Sequence, residues 1–561
     1  MQRMCSQCEA SYDITVEDVA FYDAVSPVIA GKKYPIPAPE MCPNCRSVRR
    51  MVWRNERSLY NRPCALCKKT IVCMYHADLP YNVLCEQCWP SDRWDAMQFG
   101  RAYEDGTLFW EQFDALLKAV AHRGLFITGR PENSDYTNWA GPCKDCYLVF
   151  NSGLLQDCYY SKGLIESKDC MDMSTCQNCE WCYECINASN CYNATHCQNC
   201  SQCQDSTFLF NCVGCDHCIG CTNLTHASYC IFNEKVSKEE YDRQSASLLG
   251  AGSFSKHEGL RERFAELVTK AIHRERQSVN TENSTGDFLF NTKNCRLCFE
   301  VFKAEDCAYL DCSKRCKSSQ DLYGYGYDSE LLYQCTGVGY SFNVLFSVQC
   351  ERCSDSMYCF QCTDCKNCFG CVGLRKHEYC ILNKQYTKEE YEALASAIIG
   401  SMQADNSWGK FLPSSISPFG YNETVALEYF PGTKGDLVVR GWKWSEHETL
   451  SPQVAKIIEA MQLPDSIEEI PDDITEWAIR CRVTGKPFRI IRKELEFYRR
   501  MQLPIPRLHP DERHRKRLAM RNPRHLWDRS CAKCGNAIQT TYSPERPEVV
   551  YCEECYLKEV Y

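Results

Sequence analysis

Six CxxC pairs carry the clearest chemistry in this chain. Cys64-Ala-Leu-Cys67 is followed after 17 residues by Cys85-Glu-Gln-Cys88, and Cys531-Ala-Lys-Cys534 is followed after 17 residues by Cys552-Glu-Glu-Cys555. Each CxxC turn offers two thiolates to one side of a tetrahedron, and a hairpin of this length brings the second turn back to complete it. The spacing points to two four-cysteine zinc ribbons. Cys5-Ser-Gln-Cys8 and Cys42-Pro-Asn-Cys45 add a third candidate set, with a longer loop between them. Three zinc ions per chain are expected, in closed sites of the structural kind. Four buried reduced thiols are the competing reading. Cys73 and His76 lie inside the first hairpin and resemble spare ligands. The C-terminal hairpin has Thr540 and Ser543 there, so both are read as ordinary hairpin residues.

The elements that position these cysteines are duplicated. Ile71, Tyr75, Pro80 and Val83 recur as Ile538, Tyr542, Pro547 and Val550 at a constant offset of 467. Tyr12, Asp18, Phe21 and Tyr22 recur as Phe488, Glu494, Phe497 and Tyr498 at an offset of 476. In that copy Cys5, Cys8, Cys42 and Cys45 become Cys481, Thr484, His509 and Glu512. Threonine is a poor zinc ligand, so the copy reads as a metal-free relic that keeps its fold. A weak Cys481/His509/Glu512 site, open and catalytic in style, is the minority alternative.

Net charge is -9, but it is unevenly spread. Met41 to Thr70 carries +7 and Cys481 to Ser530 carries +10, which leaves -26 elsewhere. Arg46, Arg49, Arg50, Arg54 and Arg57 lie beside the first cysteine set, and Arg513, Arg515, Lys516, Arg517, Arg521 and Arg524 lie in its copy. Trp53, Tyr60 and Trp527 are interleaved with them. Arginine forks with aromatic faces suit phosphate and single-stranded base contacts, so these eleven residues are the candidate nucleic-acid contacts. The same residues suit packing of the ribbons on each other.

Between the ends the chain repeats. Glu180 to Tyr241 matches Glu330 to Tyr391 at an offset of 150. Within each block a finer period of twelve is visible, and its small-residue column reads Cys146, Cys158, Cys170, Cys182, Ala194, Ser206, Cys218 and Cys230. All 17 cysteines from Cys143 to Cys230 are separated by multiples of three. In the second block one residue is inserted near Ser329, and only Cys312 of 14 departs from that pattern. A parallel β-solenoid of about twelve residues per coil fits, a rod on the order of 40 Å long. Stacked small cysteines would fill its narrow interior, with Tyr147, Tyr159, Tyr160, Tyr183 and Phe208 on flanking faces. Metal loading of the CxxCxxCxxC runs and a disulfide ladder are the rival readings. Ser237/Glu240 and Thr387/Glu390 predict capping boxes that start helices closing the blocks. His257 to Arg276 predicts a further helix.

The expected fold is multidomain and β-rich, with terminal zinc ribbons flanking two homologous β-solenoid-like blocks and short capping helices. The expected segments are 1–90 (tandem zinc modules), 91–130 (helical linker), 131–242 (first cysteine-rich block), 243–282 (helical connector), 283–400 (second block), 401–480 (mixed linker domain) and 481–561 (duplicated terminal module). No GxSxG, HExxH, P-loop or Rossmann fingerprint is present, so no enzyme is expected. The first residues lack an apolar signal core and no run of 18 apolar residues occurs, so a cytoplasmic place and no membrane contact are expected. With 45 cysteines, the thiols would then be reduced or metal-bound.

Several stretches together resemble a family of large, cysteine-rich, zinc-ribbon-containing proteins of Candidate Phyla Radiation (Patescibacteria) bacteria. They include Cys85-Glu-Gln-Cys-Trp-Pro-Ser-Asp-Arg-Trp-Asp95, Cys380-Ile-Leu-Asn-Lys-Gln-Tyr-Thr-Lys-Glu-Glu-Tyr391, Ser417-Pro-Phe-Gly-Tyr-Asn-Glu-Thr424 and the final ribbon. The resemblance implies zinc binding and attaches no activity. The functional expectation is a zinc-binding, non-enzymatic scaffold that contacts nucleic acid, RNA or a ribonucleoprotein, through its basic ends. An acidic protein is the other possible partner of the basic ends. A protein–protein scaffold using the solenoid faces is the first alternative. A thiol-rich metal or redox buffer is the second.

Overall fold

The computed structural model describes residues 1–129, 131–134, 136–152, 155–156, 158–160, 162, 171, 183, 185–186, 202–250, 252–311, 319–324, 333–337, 345–346, 348, 355–448 and 452–560. Cys170, Cys182 and Ala194 of the twelve-residue column, and Cys312, lie outside the described residues.

The chain forms two compact units, and neither is a continuous stretch. Unit 1 joins Met1–Leu125 to Arg276–His447 and Arg524–Leu526. Unit 2 joins Phe126–Glu275 to Glu448–Pro523 and Trp527–Tyr561. Each unit thus takes one terminal module from one part of the chain and one cysteine-rich block from another.

In each block the backbone pairs in parallel with itself at steps of twelve residues. Asp216–Thr222 pairs with Ser228–Ile231 through Cys218↔Cys230, and Gly286–Lys293 pairs with Cys298–Phe302 through Gly286↔Cys298. Single bridges continue the second ladder from Tyr333 to Leu345, Met357, Phe369 and Ile381. Gln320↔Tyr333 spans thirteen residues, which is where the inserted residue is absorbed, and at the block entries Ile127↔Ala140 spans thirteen and Ser278–Glu282 pairs with Gly286–Lys293 at eleven. The period of three has a backbone cause. From Gln202 to Phe232 every third residue has positive φ, including Asp205 (43°), Phe208 (55°), Asn211 (51°), Gly214 (62°) and His217 (50°). A left-handed residue turns the chain, so residues three apart face the same interior. Such a residue costs on the order of 1 kcal/mol when it is neither Gly nor Asn/Asp, and here the stacked ladder holds it in place.

The interiors are narrow and filled with sulfur. Cys212, Cys215, Cys218 and Cys221 are at most 1% exposed and pack with Leu209 and Val149. Cys295, Cys298 and Cys307 pack with Val301, Ala304 and Leu310. These thiols also donate hydrogen bonds. Cys212 Sγ reaches the Phe210 carbonyl at 3.5 Å and the Cys221 carbonyl of the next turn at 3.5 Å. Ser206, which replaces cysteine in the column, does the same with the Gln204 carbonyl at 2.7 Å and accepts from the Cys218 N–H at 3.0 Å. Small size and a donor are therefore what the position selects. All described cysteines are free, so the disulfide-ladder reading does not hold among them.

The block ends are capped as the sequence predicts, with two differences. Lys388–Ala404 starts with a complete capping box of Thr387 and Glu390. Lys238–Leu249 has half of one: Ser237 accepts from the Glu240 N–H, while the Glu240 side chain pairs with Arg243 and Gln244. The connector helix is Phe254–Lys270, and the chain then turns extended as Ile272–Arg274. That strand pairs in parallel with Val549–Tyr551 of the C-terminal ribbon. Its counterpart in unit 1 is His122–Arg123, which pairs with Val83–Leu84.

Candidate functional site

The three cysteine sets form three tetrads: Cys5/Cys8/Cys42/Cys45, Cys64/Cys67/Cys85/Cys88 and Cys531/Cys534/Cys552/Cys555. Within each, all four Sγ atoms lie within 4.8 Å of one another. The first turn of each tetrad is built alike. The N–H groups of Cys5, Cys64 and Cys531 donate to the carbonyls of Ala10, Lys69 and Asn536 at 2.8–2.9 Å. Glu9, Lys68 and Gly535 close the turn at φ 60°, 63° and 78°. The second turn of the first tetrad opens the helix Pro43–Met51, with proline in its first turn where no N–H is needed. The third tetrad places Cys555 in the helix Glu553–Val560.

The residues fit a zinc ion on geometry. Zn–S bonds of about 2.3 Å in a tetrahedron place sulfurs roughly 3.8 Å apart. Cys8–Cys42, Cys67–Cys85 and Cys534–Cys552 are separated by 3.7, 3.9 and 3.7 Å. These distances are far beyond a disulfide bond of about 2.05 Å. In each tetrad a backbone N–H from the second turn donates to the first sulfur: Cys42 to Cys5 at 3.2 Å, Cys85 to Cys64 at 3.4 Å and Cys552 to Cys531 at 3.3 Å. Such donors favour thiolate over thiol.

Each set holds a lowered thiol and a raised one, the lowered one being Cys42 in the first tetrad and the first cysteine in the other two. A hydrogen bond from Cys45 draws the Cys42 thiol down to about 5, while Cys45 is held above its ordinary value. Burial raises Cys64 and Cys531, but backbone N–H groups outweigh it and bring both to about 6. Burial pushes Cys88 and Cys555 up to about 12. Four like charges this close do not ionise together on their own, and a divalent cation is the group that lets them.

The fourth turn, at Cys481, keeps the fold of the others. Cys481 N–H donates to the Lys486 carbonyl at 3.0 Å, Gly485 N–H returns to the Cys481 carbonyl at 3.0 Å, and Gly485 has φ 69°. Its ligand set is otherwise engaged. Glu512 holds Arg515 with hydrogen bonds of 2.8–3.0 Å, and His509 Nδ1 accepts from the Asp511 N–H at 3.2 Å. Cys481, His509 and Glu512 do not converge as the tetrads do.

The arginines are placed very differently from a nucleic-acid surface. Arg46, Arg50, Arg54, Arg513 and Arg517 are buried, at 0–5% exposure. Arg46 Nε and Arg50 Nη1 lie 2.9 and 3.1 Å from the two oxygens of Asp321. Arg49 donates to Gln334 at 2.7 Å, and Arg54 donates to Glu56 and to the Thr336 carbonyl. Arg524 pairs with Glu300 at 2.6 Å and stacks over Tyr429. Arg57 and Arg521 are half-buried. Of the eleven, Arg515 and Lys516 are exposed. The expectation that these arginines face a polyanion is therefore corrected for the buried ones. Around Arg46, Arg50, Arg54 and Arg513, carboxylates and tyrosine rings of their own unit replace the water a guanidinium loses.

The same docking is made twice. Tyr309 donates to Asp18 at 3.1 Å in unit 1, and Tyr160 donates to Glu494 at 2.7 Å in unit 2. Arg46 lies 4.9 Å over the Tyr309 ring, and Arg513 lies 4.4 Å over Tyr160. Tyr22 meets Tyr333 edge-on at 5.3 Å, and Tyr498 meets Tyr183 at 5.8 Å. Arg123 pairs with Glu86, and Arg274 with Glu553. Asp18 and Glu494 are also helix-capping residues, so one carboxylate fixes both the helix start and the docked face.

A further cluster escaped the sequence reading. His76, taken there as an ordinary hairpin residue, meets Asp78 and His447. Nothing local signals this, because His447 comes from a segment about 370 residues away along the chain.

No protein-family model matches this chain, and no curated protein or solved structure is significantly similar to it. Among the described residues, no helix is long and apolar enough to cross a membrane.

Proposed function

We propose that this protein is a zinc-stabilised, non-enzymatic scaffold, in which terminal zinc-ribbon modules brace two β-solenoid bodies whose outer faces receive a protein partner. One observation carries the reading. Three four-cysteine tetrads with sulfur spacings near those of a zinc tetrahedron sit in modules whose buried arginines and tyrosines are consumed in docking onto the ladders. The twelve-residue pairing steps and the left-handed residue at every third position support the solenoid form. Zinc is structural in this reading, closing each site with four protein ligands. Five of the eleven candidate basic residues are buried and only two are exposed, which favours a protein partner over nucleic acid.

The test is metal analysis of the purified chain together with near-ultraviolet circular dichroism. Three zinc ions per chain are expected, and stripping them with a mercurial reagent and chelator should abolish the aromatic signal of the docked tyrosines. A chain that carries no zinc, or that keeps its aromatic signal after zinc is removed, would refute the proposal.

A further inference from the structure

Unit 1 holds a second kind of ligand set, with nitrogen and oxygen donors. The rings of His76 and His447 lie nearly parallel, with centroids 4.5 Å apart and planes 18° apart. Asp78 Oδ2 lies 2.9 Å from His447 Nδ1 and 3.5 Å from His76 Nδ1. His76 Nδ1 is shielded from solvent and makes no hydrogen bond. The three donor atoms all fall within 4.8 Å of one another.

The positions are fixed by the surrounding backbone. A turn closed by the Leu79 N–H on the His76 carbonyl at 3.2 Å holds His76 and Asp78 together. Asn422 grips Ser445 through both its amide groups at 2.8 and 2.9 Å, two residues before His447. The ring of Tyr60 stands edge-on to both imidazoles, and its hydroxyl donates to Glu423 at 2.6 Å.

Asp78 Oδ2 faces both imidazoles, His447 Nδ1 at 2.9 Å and His76 Nδ1 at the longer 3.5 Å, and at that length His76 Nδ1 makes no hydrogen bond. A cation between the three accounts for both rings. Ligands about 2.1 Å from a metal lie roughly 3.0–3.4 Å from one another in octahedral or tetrahedral arrangements, close to the spacings here. Two imidazoles and one carboxylate suit a borderline divalent ion and leave coordination positions open. The duplicated hairpin of unit 2 has Ser543 and Glu545 at the equivalent positions, so the set belongs to one unit and is not part of the shared framework.

We propose that His76 Nδ1, His447 Nδ1 and Asp78 Oδ2 bind a fourth divalent cation of the Zn2+, Co2+ or Ni2+ class, in an exchangeable site with open positions for water or a small anion. This site is independent of the sulfur tetrads. The full-length chain, with its tetrads loaded with zinc and treated with a mild chelator, would be titrated with cobalt(II). One cobalt per chain is expected, with weak visible bands and no sulfur-to-cobalt charge transfer. His447→Ala should abolish this binding, and Asp78→Asn should weaken it at least tenfold, with the tetrad zinc content unchanged in both as the control for folding. Absence of cobalt binding, sulfur charge transfer in the bound form, or equal binding by both variants would overturn the proposal. Loss of tetrad zinc is read separately, so failure of the tetrad reading is distinguishable from failure of this one.

Discussion

Asp321→Asn isolates what the buried arginines do. Its two oxygens face Arg46 Nε at 2.9 Å and Arg50 Nη1 at 3.1 Å, and all three side chains are at most 2% exposed. Burial opposes the charge on Arg46, and the neighbouring Asp321 carboxylate outweighs it, so the guanidinium stays charged. The substitution keeps the shape and removes the countercharge. Breaking a buried pair by removing one partner costs about 3–5 kcal/mol, because the remaining charge is left uncompensated. The exposed pair Lys434–Glu446 of the same unit, with side chains 55% and 71% exposed, is the contrast. Removing it through Lys434→Ala costs about 0–1 kcal/mol. Native-state hydrogen exchange reads the two separately in a chain of two units. The segment 43–54 should exchange roughly a hundred- to several-thousand-fold faster in Asp321→Asn and almost unchanged in Lys434→Ala. Peptides of unit 2 serve as the internal reference. Equal and small effects of the two substitutions would refute the docking argument, and a loss of RNA binding by Asp321→Asn without loss of protection would restore the polyanion reading.

Three further outcomes are expected. Cys64→Ser and Cys531→Ser should each remove one zinc per chain without affecting the other tetrads, measured by elemental analysis, and loss of all zinc from either variant would contradict the independence of the sites. In the ladder, Cys218→Ser should be tolerated because Ser206 makes equivalent bonds, while Cys218→Leu should cost about 1–3 kcal/mol or more by overpacking, read from urea midpoints. Acid should weaken unit 1 through His122, whose Nε2 donates to the Leu117 carbonyl at 2.7 Å and whose burial holds it down at about 4, against 6.5 when free. A folded value below the unfolded one makes the contribution complete above pH 6.5 and progressively lost as pH falls toward 4, by roughly 3 kcal/mol in all. His122→Phe should flatten that slope while keeping the same tetrads, and an unchanged slope would assign the acid sensitivity elsewhere.

The tetrads, the offset duplication and the repeat of twelve were legible in the residues themselves. Ligand geometry is local: a CxxC turn brings its two sulfurs together whatever surrounds it, and a 17-residue hairpin returns the second pair. The multiples of three between cysteines likewise follow from one backbone rule, a left-handed residue at every third position, and this is local too. The role of the arginines was not legible. A run of positive charge looks alike on a solvated face and in a docked one, and the difference is made by Asp321, Tyr309, Tyr160 and Glu494, which are distant from most of the arginines along the chain. Nor could the residues say which terminal module joins which block. Duplicated modules present nearly the same docking groups, so spacing cannot choose between two similar ladders, and the pairing within each unit is set by long-range packing alone. The meeting of His76 with His447 was not legible for the same reason. Its partner His447 becomes a neighbour through the folding of unit 1, whereas the cysteines of each tetrad are already close in the chain.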